Sequence, residues 1–381
     1  MTAEVAAANG HAVRIYDQHR SPARKFVLAG RGGLNITHSE DIEPFLDRYG
    51  SERSHLETAV RGFTPDDLRS WCEELGHPTF VGTSGRVFPE ELRAVPLLRS
   101  WLRRLGEQGV TLHAQQRWTG WNDDGHLIFA TSDGVVFDSP DRTVLALGGA
   151  SWPRVSSDGS WAQLLTDRSV DIEPLAPANC SVQVDWSDVM VDKFAGVPVK
   201  NAAVIVDGVI VRGDPVITRS GLEAGPIYAH SRRVRELLAE GDVDMSIDLF
   251  PDLDLARVRA TLVDTRSRGQ SLAKWLRRSG ITPVGASLMR EATGNKLPTE
   301  PNELAHLAKA VPIAVDSMAG MDRAISSAGG VAWSEVDDDF QLSALPGVYA
   351  VGEMLNWEAP TGGYLLQACF STAHHAATAI S

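Results

Sequence analysis

Three cysteines in 381 residues, Cys72, Cys180 and Cys369, are too few, too widely spaced and odd in number for a disulfide framework. They fit no metal-ligand spacing, and no histidine run supplies one, so no metal site is expected. Long apolar runs are missing too, since none approaches the ~18–20 residues of a membrane helix. No charged-then-apolar leader pattern stands at the front. Basic charge is in deficit: 36 Lys and Arg face 49 Asp and Glu, for a net charge of −13. That balance argues against a general DNA surface, which needs clustered cations. The one basic cluster, Arg266, Arg268, Lys274, Arg277 and Arg278, reads as a solvated helix face, with an RNA or anionic partner as the lesser alternative. No nucleophile dyad or triad is visible, which sets hydrolysis aside. Repeats and low-complexity tracts are absent. These absences leave a reduced, cytoplasmic enzyme, and the length calls for two or more domains.

Glycine is present in telling places. The segment GVYAVGEMLNWEAPTGGYLLQACFSTAHH (347–375) reads as a buried strand, a Gly-Glu step, a short loop and a Thr-Gly-Gly turn opening a helix. Gly352, Gly362 and Gly363 permit close backbone approach to a flat ring, because no Cβ intervenes. Glu353 offers a carboxylate to a polyol hydroxyl. The helix starting near Tyr364 aims free N–H groups and a positive dipole end at whatever precedes it. Such an end suits the negative edge of a reduced flavin. Trp357 and Tyr364 flank the turn and form either a wall over the ring or part of the core. His374 and His375 lie about three turns into the helix, where a structural role is expected.

A second glycine cluster, GRGGLN (30–35), places Gly30, Arg31, Gly32, Gly33 and Asn35 in a loop able to line an anion. Arg24 and Lys25 enter it with positive charge, and His38 follows within hydrogen-bonding reach of a ligand. Elsewhere TPDDLRSWCEELG announces a helix: Thr64 suits the N-cap, Pro65 the first position, and acids fill the first turn. Before it IEPFLDRYG and HLETAVRGF read as helices, and after it LRAVPLLRSWLRRLGEQG does. Strands TLHAQQRWTGWND, HLIFATSD and GVVFDS follow as a meander, and RTVLALGGAS returns to the nucleotide sheet. From about 171 to about 310 short strands give way to helices such as LARVRATLVDTRSRG, which marks an insertion.

Five separated blocks carry a family likeness: RKFVLAGRGGLNITHSE (24–40), GRVFP (85–89), VLALGGASWP (144–153), AISSAGGV (324–331) and GEMLNWEAPTGGYLLQACFSTA (352–373). From Ser21 to its end the chain resembles the BaiN-like NAD(P)/FAD-dependent oxidoreductases, also called aminoacetone-oxidase-type FAD-binding flavoproteins, and within them an uncharacterised bacterial branch. The resemblance implies an α/β fold: a Rossmann-like FAD-binding domain (1–170 and 311–381) with an inserted α+β substrate or lid domain (171–310). It implies FAD as cofactor and NAD(P)H as a donor that docks transiently, since no second G-x-G-x-x-G offers a nicotinamide domain. It brings Gly148 and Gly149 close to the adenosine half and the Leu366 backbone close to the flavin. Arg86 in GRVFP falls beside the active site, there either to orient an anionic substrate or flavin carbonyls, or to form a buried salt bridge. Arg86, Tyr364 and His38 are the catalytic candidates.

One part of the pattern is lacking. Family members open with a strand and a G-x-G-x-x-G turn that seats the FAD pyrophosphate. Here TAEVAAAN supplies an Ala-rich helix at once, closed by Gly10. HAVRIY (11–16) then reads as the second strand, with Asp17 at its tip where an acid holds the adenosine ribose. The first strand belongs at the sheet centre, so the expectation is a reading frame starting about 15–20 residues upstream. The function expected is flavin hydride transfer to or from a small organic substrate. The alternative is a partner-dependent flavoprotein, RNA-associated or not, or a form with weak FAD binding.

Overall fold

The computed structural model describes residues 1–155 and 157–380, and for Arg31 only the backbone. The chain divides into two compact units, one of Met1–Ala176 with Ser326–Ser381 and one of Pro177–Ile325. These limits fall later than 171 and 311. Strand Ile172–Ala178 pairs with Ser326–Val331, which holds 171–176 in the first unit. Strands Val311–Pro312 and Ser317–Met318 join sheets of the second unit and carry the return point to 325.

The first unit is an α/β Rossmann-type layer structure. Helix Thr2–Ala8 ends as its composition demands, with Gly10 just beyond at φ +92°. Strand Arg14–Asp17 follows and runs parallel to Thr111–Ala114 in register Arg14 to Thr111. That pairing corrects the meander. Thr111–Ala114 leaves it for the nucleotide sheet, and the meander consists of Arg117–Trp121, Leu127–Thr131 and Gly134–Asp138. Left-handed Gln115 (φ +59°) separates the two strands that the run TLHAQQRWTGWND had joined. Thr143–Leu145 runs parallel to Val348–Ala350, giving a second pair of central strands.

The chain enters the 30–35 glycine cluster as a helix. Arg24–Ala29 is an α-helix, and Gly30–Gly32 extends it as a 3₁₀ turn. RKFVLA lacks any helix-breaking residue, and glycines take over only where it ends. Helix Pro65–Glu74 starts on a full capping box, Thr64 accepting from the Asp67 N–H and Asp67 from the Thr64 N–H. Its Leu68, Trp71 and Cys72 are buried.

Buried Glu4 fixes the first helix. It accepts the indole N–H of Trp71 (3.0 Å) and of Trp101 (2.6 Å), and a guanidinium N–H of Arg104 (2.9 Å). Three donors converge on one carboxylate, so the helix packs in a single orientation.

The second unit holds two four-stranded sheets. One runs Val216–Thr218, Gly221–Glu223, Val182–Gln183, Ser317–Met318; the other runs Val209–Gly213, Ala202–Val206, Met245–Asp248, Val311–Pro312. Helices Leu255–Thr265, Pro283–Ala292 and Pro301–Lys309 bury Leu262, Leu288 and Leu304 in a core shared with Val204 and Ile247. This is the inserted α+β part.

Glu4→Ala leaves one buried indole, one half-buried indole and a guanidinium without their acceptor, so we expect a loss of about 2–4 kcal/mol. A lower urea midpoint at unchanged m value checks it, and a wild-type midpoint would deny the carboxylate this role.

Candidate cofactor and active site

The Gly-Glu step is the hub of the site. Val351 donates to the Leu145 carbonyl, placing the end of Val348–Ala350 beside the end of Thr143–Leu145. Gly352 then turns at φ +71° and sends the Glu353 side chain inward, where it is 6% exposed. Its Oε1 accepts the Ser327 N–H at 3.0 Å and its Oε2 accepts Lys25 Nζ at 2.6 Å. A longer contact reaches the Gly149 N–H at 3.4 Å. Lys25 also donates to Ser151 Oγ at 2.7 Å. The carboxylate offered to a polyol is thus already bonded to three parts of the protein.

The glycines separate into two kinds. A Cβ on Gly149 would overlap the Ser327 side chain, and one on Gly30 would lie 2.8 Å from Ala94 Cβ. A Cβ on Gly363 would sit 2.6 Å from the Thr37 backbone, and one on Gly362 2.7 Å from the Tyr364 ring. At these four positions protein atoms occupy the space a side chain would need. Gly352 likewise packs on Cys369, at 3.4 Å from a Cβ placed there. Gly33 turns at φ +115° against the Phe88 ring. Among the glycines of the motif blocks named above, space is open at Gly32 and, save for Glu353 Oε2 at 3.9 Å, at Gly148.

The three catalytic candidates come together around the Thr-Gly-Gly turn. Strand Thr37–His38 pairs antiparallel with Arg86–Pro89, setting His38 opposite Arg86, and Gly363 packs on Thr37. His38 stacks on Tyr364 with ring centroids 5.3 Å apart. Its Nδ1 accepts the Glu40 N–H (3.1 Å) and its Nε2 meets the Ser84 carbonyl (2.9 Å), which suits the tautomer protonated at Nε2. Both ring nitrogens are therefore engaged. The Tyr364 hydroxyl donates to Glu40 Oε1 at 2.6 Å, and Arg48 grips the same carboxylate at 2.7 and 3.0 Å. Burial pushes the Glu40 carboxyl up, but the hydrogen bonds from Arg48 and Tyr364 outweigh it and hold it below its ordinary value. Burial first, then the Glu40 bond, raises the Tyr364 phenol well above 10.0. Arg86 differs from both. Its guanidinium makes one long contact, 3.5 Å to Thr361 Oγ1, and among the described residues no carboxylate pairs with it. Sequence reasoning missed Glu40 and Arg48 as site residues, although Glu40 is the last residue of the 24–40 block and Arg48 follows within eight residues.

The remaining residues are placed as follows. Asp17 Oδ1 accepts the His19 N–H at 2.7 Å and Oδ2 the Ala23 N–H at 3.4 Å, so it ties the strand tip to the next helix. Asn35 Nδ2 donates to the Thr37 and Val87 carbonyls (2.8 and 3.1 Å), a structural clamp. Leu366 packs in the cluster of Leu34, Ile36 and Phe63. Trp357 is core, 2% exposed, with its indole N–H on the Gly352 carbonyl. The Arg31 side chain lies outside the described residues. His77 bonds Glu91 (3.0 Å) and Ser100 (2.9 Å). In the second unit Arg278 is spent on Ser267 and Gln270, and Arg266 lies over the Trp275 ring.

A cavity of about 1270 Å³ opens in the first unit. Asp17, Arg24, Lys25 and Gly148 line it, joined by His19 and Gln116. His19 Nε2 and Gln116 Oε1 are buried polar atoms without a partner. Neither Gly32 nor the first turn of Tyr364–Ala379 lines this cavity; the helix reaches it through Ala373.

The profile of the HI0933-like protein Rossmann domain matches residues 1–379. The chain belongs to that family. Among curated proteins it is similar to a 3-dehydro-bile acid delta(4,6)-reductase of Clostridium scindens, 25% identical over 96% of this chain and 92% of that one. Among solved structures it is similar to a flavocytochrome c3 fumarate reductase in its open conformation, with TM-score 0.52 and 14% identity over 100% of this chain and 76% of that one. It is also similar to a 3-ketosteroid delta1-dehydrogenase from Sterolibacterium denitrificans, with TM-score 0.51 and 12% identity over 100% and 96%. Those two likenesses establish the shared Rossmann-type fold. The BaiN-like resemblance of the five blocks agrees with the family, and the protein is an oxidoreductase. No helix among the described residues is long and apolar enough to cross a membrane.

The raised Tyr364 phenol has a stability consequence. Above about pH 10 the unfolded chain ionises this tyrosine while the folded one keeps its proton, so stability falls as pH climbs. Urea unfolding between pH 9 and 11 should show a shallower decline in Tyr364→Phe, by at most one proton. Parallel declines would mean the phenol titrates normally.

Proposed function

We propose that this protein is an FAD-dependent reductase of an apolar, carbonyl-bearing substrate, with NAD(P)H as a transiently docked donor. The observation that carries the reading is the unpaired Arg86 guanidinium, held by strand Arg86–Pro89 beside Thr361 and the glycine turn. A fixed planar cation with no carboxylate partner is available to a substrate oxygen. The carbonyl of a 3-keto steroid-like ring, the substrate type named for the Clostridium scindens relative, is such a group.

The residues present fit FAD. Asp17 ends a parallel strand where a ribose-binding acid belongs. Gly148 is open, and Arg24 and Lys25 bring positive charge to the same cavity. His19 and Gln116 hold unspent polar atoms there. The volume suits a ligand larger than the ~300–1,000 Å³ of ordinary small-molecule pockets. Bound flavin supplies reversible two-electron chemistry. The protein supplies the rest. Arg86 orients the substrate oxygen and stabilises charge that gathers on it. Tyr364, clamped by Glu40, and His38, clamped at both nitrogens, hold the wall of the site rigid beside it.

Equilibrium dialysis with FAD, followed by anaerobic addition of NADPH, tests the reading. Stoichiometric yellow protein that bleaches on NADPH is expected. Lys25→Met should weaken FAD binding roughly tenfold, as loss of one charge-assisted bond predicts. Arg86→Ala should keep the flavin yet lower kcat/KM for a 3-keto steroid enone by about 100-fold. Absence of FAD binding, or full activity in Arg86→Ala, would reject it.

A further inference from the structure

The three-stranded sheet beside the glycine turn has two unlike faces. Strand Arg86–Pro89 lies at its centre, between Thr37–His38 and Thr79–Val81. Side chains alternate across a strand; Val87 and Pro89 are buried, whereas Arg86 and Phe88 are half-buried on the opposite face. Register extends that face sideways, with His38 opposite Arg86 and Phe80 opposite Phe88. A polar row and an aromatic row therefore lie side by side, two residues apart along one strand.

The aromatic row is held in place yet left uncovered. The two edges of the Phe88 ring abut glycines: a Cβ on Gly33 would lie 3.5 Å from one, and a Cβ on Gly82 3.4 Å from the other. Phe80 stacks on this ring with centroids 5.7 Å apart and planes 27° apart, and it is 39% exposed. Leu92, 44% exposed, adjoins from the Gly33 side, its Cδ2 3.8 Å from a Cβ placed on that glycine. Its backbone stands at φ +59°, a conformation that leucine rarely adopts. The Leu92 N–H on the Pro89 carbonyl (2.8 Å) and the Leu34 N–H on the Leu92 carbonyl (2.9 Å) hold it there. The hairpin is pinned as well, since Gly82 donates to the Arg86 carbonyl at 2.8 Å and His38 Nε2 meets the Ser84 carbonyl. One exposed apolar side chain is ordinary, but several grouped around one ring beside a free cation mark a binding surface.

The two rows together define what fits. Arg86 offers one end of a ligand a guanidinium that no carboxylate among the described residues pairs with. Phe88 follows about 6–7 Å further on, at a strand's rise of ~3.3 Å per residue. Phe80 lies about 5 Å to its side, the usual cross-strand spacing. A molecule bound oxygen-first at Arg86 must therefore extend well past its first ring to touch either aromatic. A single ring is too short, and a flexible chain loses its rotamer freedom when flattened on such a surface. A rigid body of fused rings covers both aromatics at little entropic cost.

We propose that Phe80, Phe88 and Leu92 form the shelf that sets substrate size, and that it takes an apolar system of three or four fused rings with its carbonyl at Arg86. This inference rests on the reductase reading and narrows its substrate: Arg86 fixes the reacting end, and the shelf reads the length behind it.

Phe80→Ala and Leu92→Asn test it in the flavin-loaded enzyme, with progesterone as the long probe and cyclohex-2-enone as the short one. Both positions are exposed, and asparagine tolerates φ +59°, so the fold is kept. The ratio of kcat/KM for progesterone to that for cyclohex-2-enone is expected to fall about tenfold in each variant, through KM. An unchanged ratio would overturn the shelf. Equilibrium dialysis of progesterone against the oxidised protein, without NADPH, reads binding apart from turnover, and about tenfold weaker binding is expected in each variant. Progesterone held equally by variants and wild type, or not held at all, would overturn the shelf whatever the kinetics show. Should the wild type reduce neither enone yet bind progesterone in a manner sensitive to Phe80→Ala, the reductase reading falls and the shelf stands. Sedimentation in which either variant turns a dimer into a monomer, with progesterone binding unaltered, would assign the surface to a second copy instead.

Discussion

The ion pair of Lys25 with Glu353 is the contact on which the arrangement of the first unit depends. One carboxylate ties the helix Arg24–Ala29, the Gly149 turn, the strand Ser326–Val331 and the C-terminal motif into a single knot. Those segments lie up to 328 residues apart in sequence. A buried pair of this kind adds little net stability, since desolvation offsets most of the attraction. Its value is geometric. Removing either partner strands a charge and costs about 3–5 kcal/mol, so alternative packings of the four segments are penalised. The same knot leaves Lys25 on the wall of the large cavity, where a cofactor phosphate would meet a cation already held in place.

Much of this unit was legible in the sequence because the signals were local. Thr64, Pro65 and the acids of the first turn announce a helix start locally, and the Thr64 N-cap forms as read, with a full capping box to Asp67. The buried strand, Gly-Glu step and long final helix of the C-terminal block depend on a short apolar run and two glycines. What failed to read was non-local. The TLHA segment looks like any meander strand until its partner at Arg14–Asp17 is known. Glu40 closes the 24–40 block and Arg48 stands in IEPFLDRYG, but neither spacing names a partner; they matter because folding brings Tyr364, 324 residues from Glu40, to within 2.6 Å. His77 gained Glu91 and Ser100 in the same way.

The glycines teach a related lesson. Glycine in sequence announces that a side chain is not tolerated, without saying what would collide with it. At Gly149, Gly30, Gly362 and Gly363 the obstacle is protein: Ser327, Ala94, the Tyr364 ring and the Thr37 backbone. Such positions hold strands and helices at close quarters and shape a site from behind. Gly148 and Gly32, in contrast, keep an open face. Glycines of a motif can therefore serve close packing of the protein on itself as well as an open face.

The contrast among Arg86, His38 and Tyr364 follows from counting partners. Two imidazole nitrogens have two partners, and the phenol has a carboxylate held by Arg48. Five guanidinium donors of Arg86 have one distant hydroxyl. Satisfied groups stiffen a wall, whereas an unsatisfied cation is free to bind. Strand pairing of His38 with Arg86 keeps the stiff and the free groups adjacent, so the rigidity of one fixes the aim of the other. The division of labour in this site is thus set by which side chains folding has already supplied with partners.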